Sequence, residues 1–104
     1  MAYRITVKDL EAVCERINRA AGIAPESEAP LWERRYESGD PRTGTLVQRD
    51  GVYHLSGAYG GYSLHLSSGP HGGVSDVFGC GHVPKRDLYD RMQAFLRGMD
   101  VTPA

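Results

Sequence analysis

All four histidines of the chain (His54, His65, His71 and His82) lie between Gly51 and Arg86, together with nine of its thirteen glycines. Imidazole at this density can ligate a metal, move protons or hydrogen-bond a ligand, and each use demands its own spacing. Zinc ligands need closely spaced pairs with Cys or acidic companions, and no HxH, HxxxH or CxxC pattern occurs. Cys80 and His82 stand two residues apart, but no third group is evident to orient a thiol–imidazole pair. Neither a metal nor a cofactor is expected. A small hydrolase or nuclease using His54, Asp76 and His82 is the least supported reading.

Binding without chemistry fits the same stretch better. In "GCGHVPKRD" two glycines and a basic dipeptide precede a predicted helix, whose first N–H groups and partial positive charge attract anions. Lys85 and Arg86 would add full charges, although Pro84 removes one N–H, and the pattern matches neither the P-loop nor the dinucleotide fingerprint. In "GAYGG" Tyr59 and Tyr62 offer ring faces for stacking and hydroxyls for hydrogen bonds. The candidate ligand-binding set is therefore His54, Tyr59, Tyr62, His65, Ser75, His82, Lys85 and Arg86. Each residue also has a plainer explanation, since glycines turn hairpins, tyrosines fill strands and first-turn cations are solvated.

"ITVKDLEAVCERINRAAG" predicts a first helix, with Thr6 and Asp9 in capping-box spacing and Gly22 as the stop. Val7, Leu10, Val13, Cys14, Ile17 and Ala21 recur at helical spacing. "IAPESEAP" is a connector. Strands are expected near Leu31–Tyr36 and Thr45–Gln48, separated by a turn-rich loop through Ser38–Gly44. Tyr53 to Leu66 predicts a hairpin around "GAYGG", with large apolar groups on one face and His54, Ser63 and His65 on the other. "VSDVF" predicts a third strand. A closing helix follows Pro84, with Leu88, Met92, Phe95, Leu96 and Met99 as its buried stripe. The expected fold is a single α+β domain over residues 1–104: a small antiparallel sheet of three to five strands, with N- and C-terminal helices packed on one face.

Twelve basic residues meet thirteen acidic ones, and the halves divided at Asp50 are each nearly balanced. Duplex nucleic acid is disfavoured as a partner, because its binders usually carry a basic excess. The N-terminus shows no positive-then-apolar signal and no apolar run approaches a membrane span, so a cytoplasmic protein with free thiols is expected and no membrane partner.

The two most distinctive stretches, "GVYHLSGAYGGYSLHL" and "GHVPKRDLYDRMQAFLRG", resemble a family of small phage and prophage proteins. Its members share a leading ITVKDLE helix, a YHLxGAYGG hairpin, a "GGVSD" segment and a GHVPKRxLY helix start. The resemblance spans the chain except for residues 23–50. It implies a setting, the bacterial cytosol during infection or lysogeny, rather than a mechanism. In that setting the expected function is a counter-defence protein that binds a small anionic ligand, a nucleotide immune signal, without catalysis. The alternative is a protein–protein inhibitor of a host enzyme, anchored by Trp32, Arg34 and Tyr36. Self-association into a homo-oligomer is compatible with either.

Overall fold

Helix α1 (Val7–Ala20) begins where the sequence places it, because Thr6 and Asp9 cap each other. The Asp9 N–H donates to Thr6 Oγ1 at 3.3 Å, and the Thr6 N–H donates to Asp9 Oδ2 at 2.8 Å. The computed structural model describes residues 4–35 and 44–101. Tyr36 and the loop residues 38–43 singled out above lie outside the described residues. After α1 come strands β1 (Trp32–Arg35), β2 (Thr45–Gln48), β3 (Tyr53–Ala58), β4 (Gly61–Ser68) and β5 (Gly73–Asp76), then helix α2 (Lys85–Val101). Pro84 stands immediately before α2, where its carbonyl accepts from the Leu88 N–H, rather than inside the first turn.

The α+β architecture holds, but the five strands divide into two antiparallel sheets. β1 pairs with β2 as a separate ribbon, and β3-β4-β5 form the sheet that carries the helices. Two ties fix the ribbon. The Gln48 side-chain amide donates to the Gly69 and Gly73 carbonyls, both at 3.0 Å. The Arg49 guanidinium gathers the carbonyls of Ala24, Ala29 and Pro30, so one side chain holds the connector after α1 against the strand.

Register decides the two faces of the larger sheet. Tyr53 lies opposite Leu66, Leu55 opposite Leu64 and Gly57 opposite Tyr62, so these share the face under the helices. Leu64 there packs with Leu10, Val13 and Ile17 of α1 and with Leu88, Met92 and Leu96 of α2. Leu10, Ile17, Leu64, Leu88 and Met92 are each fully buried, which stabilises the fold by about 1.5–3 kcal/mol per side chain. Phe95 and Met99 are partly buried at the rim of this cluster, and Ala21 falls at the helix end, exposed. Asn18 joins α1 to the sheet edge by imitating a strand. Its amide donates to the Tyr53 carbonyl and its carbonyl accepts from the Tyr53 N–H, both at 2.8 Å.

Candidate functional site

The opposite face of the same sheet is polar. Alternation turns His54 and Ser56 of β3 and Ser63 and His65 of β4 away from the helices. His54 lies opposite His65, and His65 opposite Asp76 of β5, giving a row across three strands. The His54 and His65 rings meet edge to face with centroids 5.8 Å apart. His65 meets His82 in the same manner at 6.0 Å, and His82 meets Tyr59 at 5.8 Å. Four aromatic rings thus run from the middle of the sheet to the hairpin tip.

His82 reaches this face from the segment after β5. Val83 pairs with Tyr62 as an isolated strand bridge, exchanging both backbone hydrogen bonds. This lays His82 across β4, where its Nε2 stands 3.0 Å from the Ser56 hydroxyl on β3. Only glycine permits the crossing at position 61. A Cβ there would lie 2.9 Å from the Val83 carbonyl oxygen and 3.0 Å from the His82 carbonyl carbon.

Asp76 holds the turn that delivers His82. Its Oδ1 accepts the N–H groups of Gly79 (3.1 Å) and Phe78 (3.3 Å), and its Oδ2 accepts that of Gly81 (2.8 Å). Partial burial pushes this carboxyl up, but the Gly81 N–H, the adjacent Ser63 hydroxyl and the Gly79 and Phe78 N–H groups outweigh it and hold it below the usual carboxylate range. The Ser63 hydroxyl lies close enough to the carboxylate to lower its pKa but falls short of good hydrogen-bond geometry. Among the described residues no carboxylate pairs with His82, so the Ser56–His82 contact is a hydroxyl–imidazole pair without the third member of a triad.

Among the described residues two buried polar atoms on this face make no hydrogen bond of good geometry: His54 Nε2, and Ser63 Oγ beside the Asp76 carboxylate. Such groups are rare in folded proteins. Burial lowers the His54 pKa, the neighbouring His65 lowers it further, and Glu26 and the Leu55 carbonyl counter only part of this. His54 is therefore neutral at physiological pH, able to donate or accept one hydrogen bond.

The hairpin tip is a two-residue turn, since Ala58 pairs directly with Gly61. Both turn residues are left-handed, Tyr59 at φ 52° and Gly60 at φ 73°, the geometry that normally selects Asn-Gly. Tyr59 adopts it as a tyrosine and is 98% exposed. Tyr59 is thus a bulky aromatic in a turn that disfavours it, presented almost wholly to solvent.

The structure brings together His54, Tyr59, His65 and His82 from the predicted set. It separates the others. Tyr62 lies on the helix face and, with Lys85, lines a shallow groove between the hairpin tip and Pro84. Ser75 lies opposite Leu66, which turns it to the helix side of the sheet. Arg86 is exposed in the first turn of α2, and His71 is exposed in the β4–β5 turn. Ser56 was missing from that set although the alternation that selects His54 selects it too. The partnerless state of Ser63 had no signal in the sequence.

Cys14 is buried, and burial, then Glu26 and Glu11, push its thiol up to about 12; it is inert packing. Cys80 is also a free thiol. Among the described residues no group of three His, Cys, Asp or Glu side chains is arranged to hold a metal ion, and no helix is long and apolar enough to cross a membrane. The chain matches no family model, no curated protein and no solved structure.

Proposed function

We propose that this protein binds a small anionic ligand of the nucleotide class without catalysis, as a phage counter-defence protein that sequesters an immune signal. The observation that carries the binding reading is Tyr59, strained, exposed and edge-on to His82 at the end of the row of rings. A base would stack on Tyr59, with His54, His65 and His82 supplying hydrogen bonds. Lys85 and Arg86 would meet the phosphate around the hairpin tip. The phage setting rests on the motif resemblance.

Mass spectrometry of ligand released by denaturing the protein purified from infected cells tests the reading, followed by calorimetry against cyclic dinucleotides and ADP-ribose-type signals. A recovered nucleotide supports it; silence across the panel at micromolar concentrations removes it. Replacing Lys85 and Arg86 together by Glu should abolish binding and leave the fold intact, since each lost charge-assisted contact is worth about 1.5–3 kcal/mol and acids suit a helix N-terminus.

A second reading, inhibition of a host enzyme, has its own support. Trp32 (41% exposed), Leu46 (50%) and Val74 (45%) are large apolar groups left at the surface, and Trp dominates binding hot spots. One stoichiometric host protein in a pull-down, with no small molecule bound, would favour it.

A further inference from the structure

The outer edge of β3 is a different surface from the histidine face, although Glu26 and the Leu55 carbonyl at this edge also act on His54. β3 is the end strand of its sheet. Backbone groups of an edge strand point alternately inward and outward. Tyr53 points outward, because its N–H and carbonyl both go to Asn18. Leu55 and Gly57 share that parity. Asn18 satisfies only the first outward pair, and among the described residues neither the Leu55 nor the Gly57 N–H has an acceptor. Sheet edges are usually paired or blunted, so an unfinished one invites another strand.

A cavity of about 390 Å³ lies along this edge, between α1 and the connector that follows it. Glu11 and Glu15 from α1 and Glu26 from the connector line it, with Leu55 of β3. Glu15 is occupied by Arg19 at 2.6 Å and by the Ser27 hydroxyl. Glu11 and Glu26 have no ion-pair partner among the described residues, and both act on the buried Cys14 thiol in the pocket wall. The edge therefore offers backbone pairing beside two uncompensated carboxylates.

We infer that the β3 edge is a docking site for an extended basic segment of a partner protein, which adds a fourth strand beside Leu55 and Gly57 and sets Lys or Arg side chains against Glu11 and Glu26. A second copy of this chain is the poorer occupant: edge-to-edge pairing would bring Glu11, Glu15 and Glu26 of both copies together. The cavity suits one or two residues with long side chains, being near the lower end of the roughly 300–1,000 Å³ usual for ligand pockets.

The test uses the full chain, isotope-labelled, titrated with a short synthetic peptide of alternating valine and lysine. Control peptides replace lysine by glutamate or carry N-methyl groups on alternate backbone nitrogens. Binding of the lysine peptide should protect the Leu55 and Gly57 amides from hydrogen exchange, and both controls should bind at least about tenfold more weakly. Glu11→Gln with Glu26→Gln should weaken the lysine peptide by about the same factor at unchanged melting temperature. The inference is overturned if no peptide binds, if the N-methylated peptide binds as well as the parent, or if the shifts map elsewhere. Protection of Leu55 and Gly57 that appears without peptide and rises with protein concentration would assign the edge to self-pairing and overturn it too.

Discussion

The two faces of the β3-β4-β5 sheet are made by alternate residues of the same strands, yet they are finished differently. On the helix face Leu64 is fully buried among α1 and α2, and the packing is closed. On the other face the segment after β5 brings His82 against Ser56, and among the described residues His54 Nε2 and Ser63 Oγ are left without hydrogen bonds. A fold secures its stability on one face and can then tolerate strain and unmet hydrogen bonds on the other. The proposed ligand site rests on that division.

Breaking the closed face should have the largest effect. Leu64→Ala should cost about 2–5 kcal/mol of stability, read by chemical denaturation. His65→Ala, on the adjacent strand position but the opposite face, should cost a small fraction of that. Equal losses would erase the distinction between the faces.

Gly61→Ala should come next. Its methyl would press on the backbone of His82 and Val83, and such overpacking typically costs 1–3 kcal/mol, here about that much. The Tyr62–Val83 bridge and the Ser56–His82 contact should be lost together, visible as a changed His82 imidazole resonance. Unchanged stability with an intact resonance would mean that the strap is not held where described.

Acidification sharpens the comparison without a mutation in the core. Folded His54 binds its proton less readily than the unfolded residue near 6.5. Its contribution is complete above that value and declines as pH falls below it, because protons then favour the unfolded chain. Asp76 is depressed from 3.8, so its contribution fades only in stronger acid. Stability should fall as pH drops through the unfolded value near 6.5, and His54→Gln should flatten that slope. An unaltered slope would locate the proton uptake elsewhere.

The smallest effect has the opposite sign. Tyr59→Asn should stabilise the hairpin by up to about 1 kcal/mol by relieving a left-handed tyrosine, while ligand binding is lost. A destabilised variant would indicate that Tyr59 serves the fold after all.

Local, periodic signals were readable in the sequence. Thr6 and Asp9 announced the start of α1, and the alternation from Tyr53 to Leu66 gave the hairpin and its two faces. The same alternation set Tyr62 with Leu64 and Leu66 on the apolar face, and grouping Tyr62 with Tyr59 overrode it. Ser75 could not be oriented, because its face depends on the register of β5 against β4, which lies in long-range pairing. The split into two sheets depends on Gln48 and Arg49 reaching carbonyls some twenty residues away in sequence. His82 meets Ser56 across 26 positions by way of Gly61, and no local pattern encodes such a crossing.

The most direct test of the histidine face is to follow the imidazole and tyrosine ring resonances of the intact protein while titrating cyclic dinucleotides and ADP-ribose-type nucleotides. At least one nucleotide should bind at micromolar concentration and shift His54, His65, His82 and Tyr59 while the Leu64 and Leu88 methyls stay in place. No shift across the panel, or shifts confined to the β1–β2 ribbon, would contradict it.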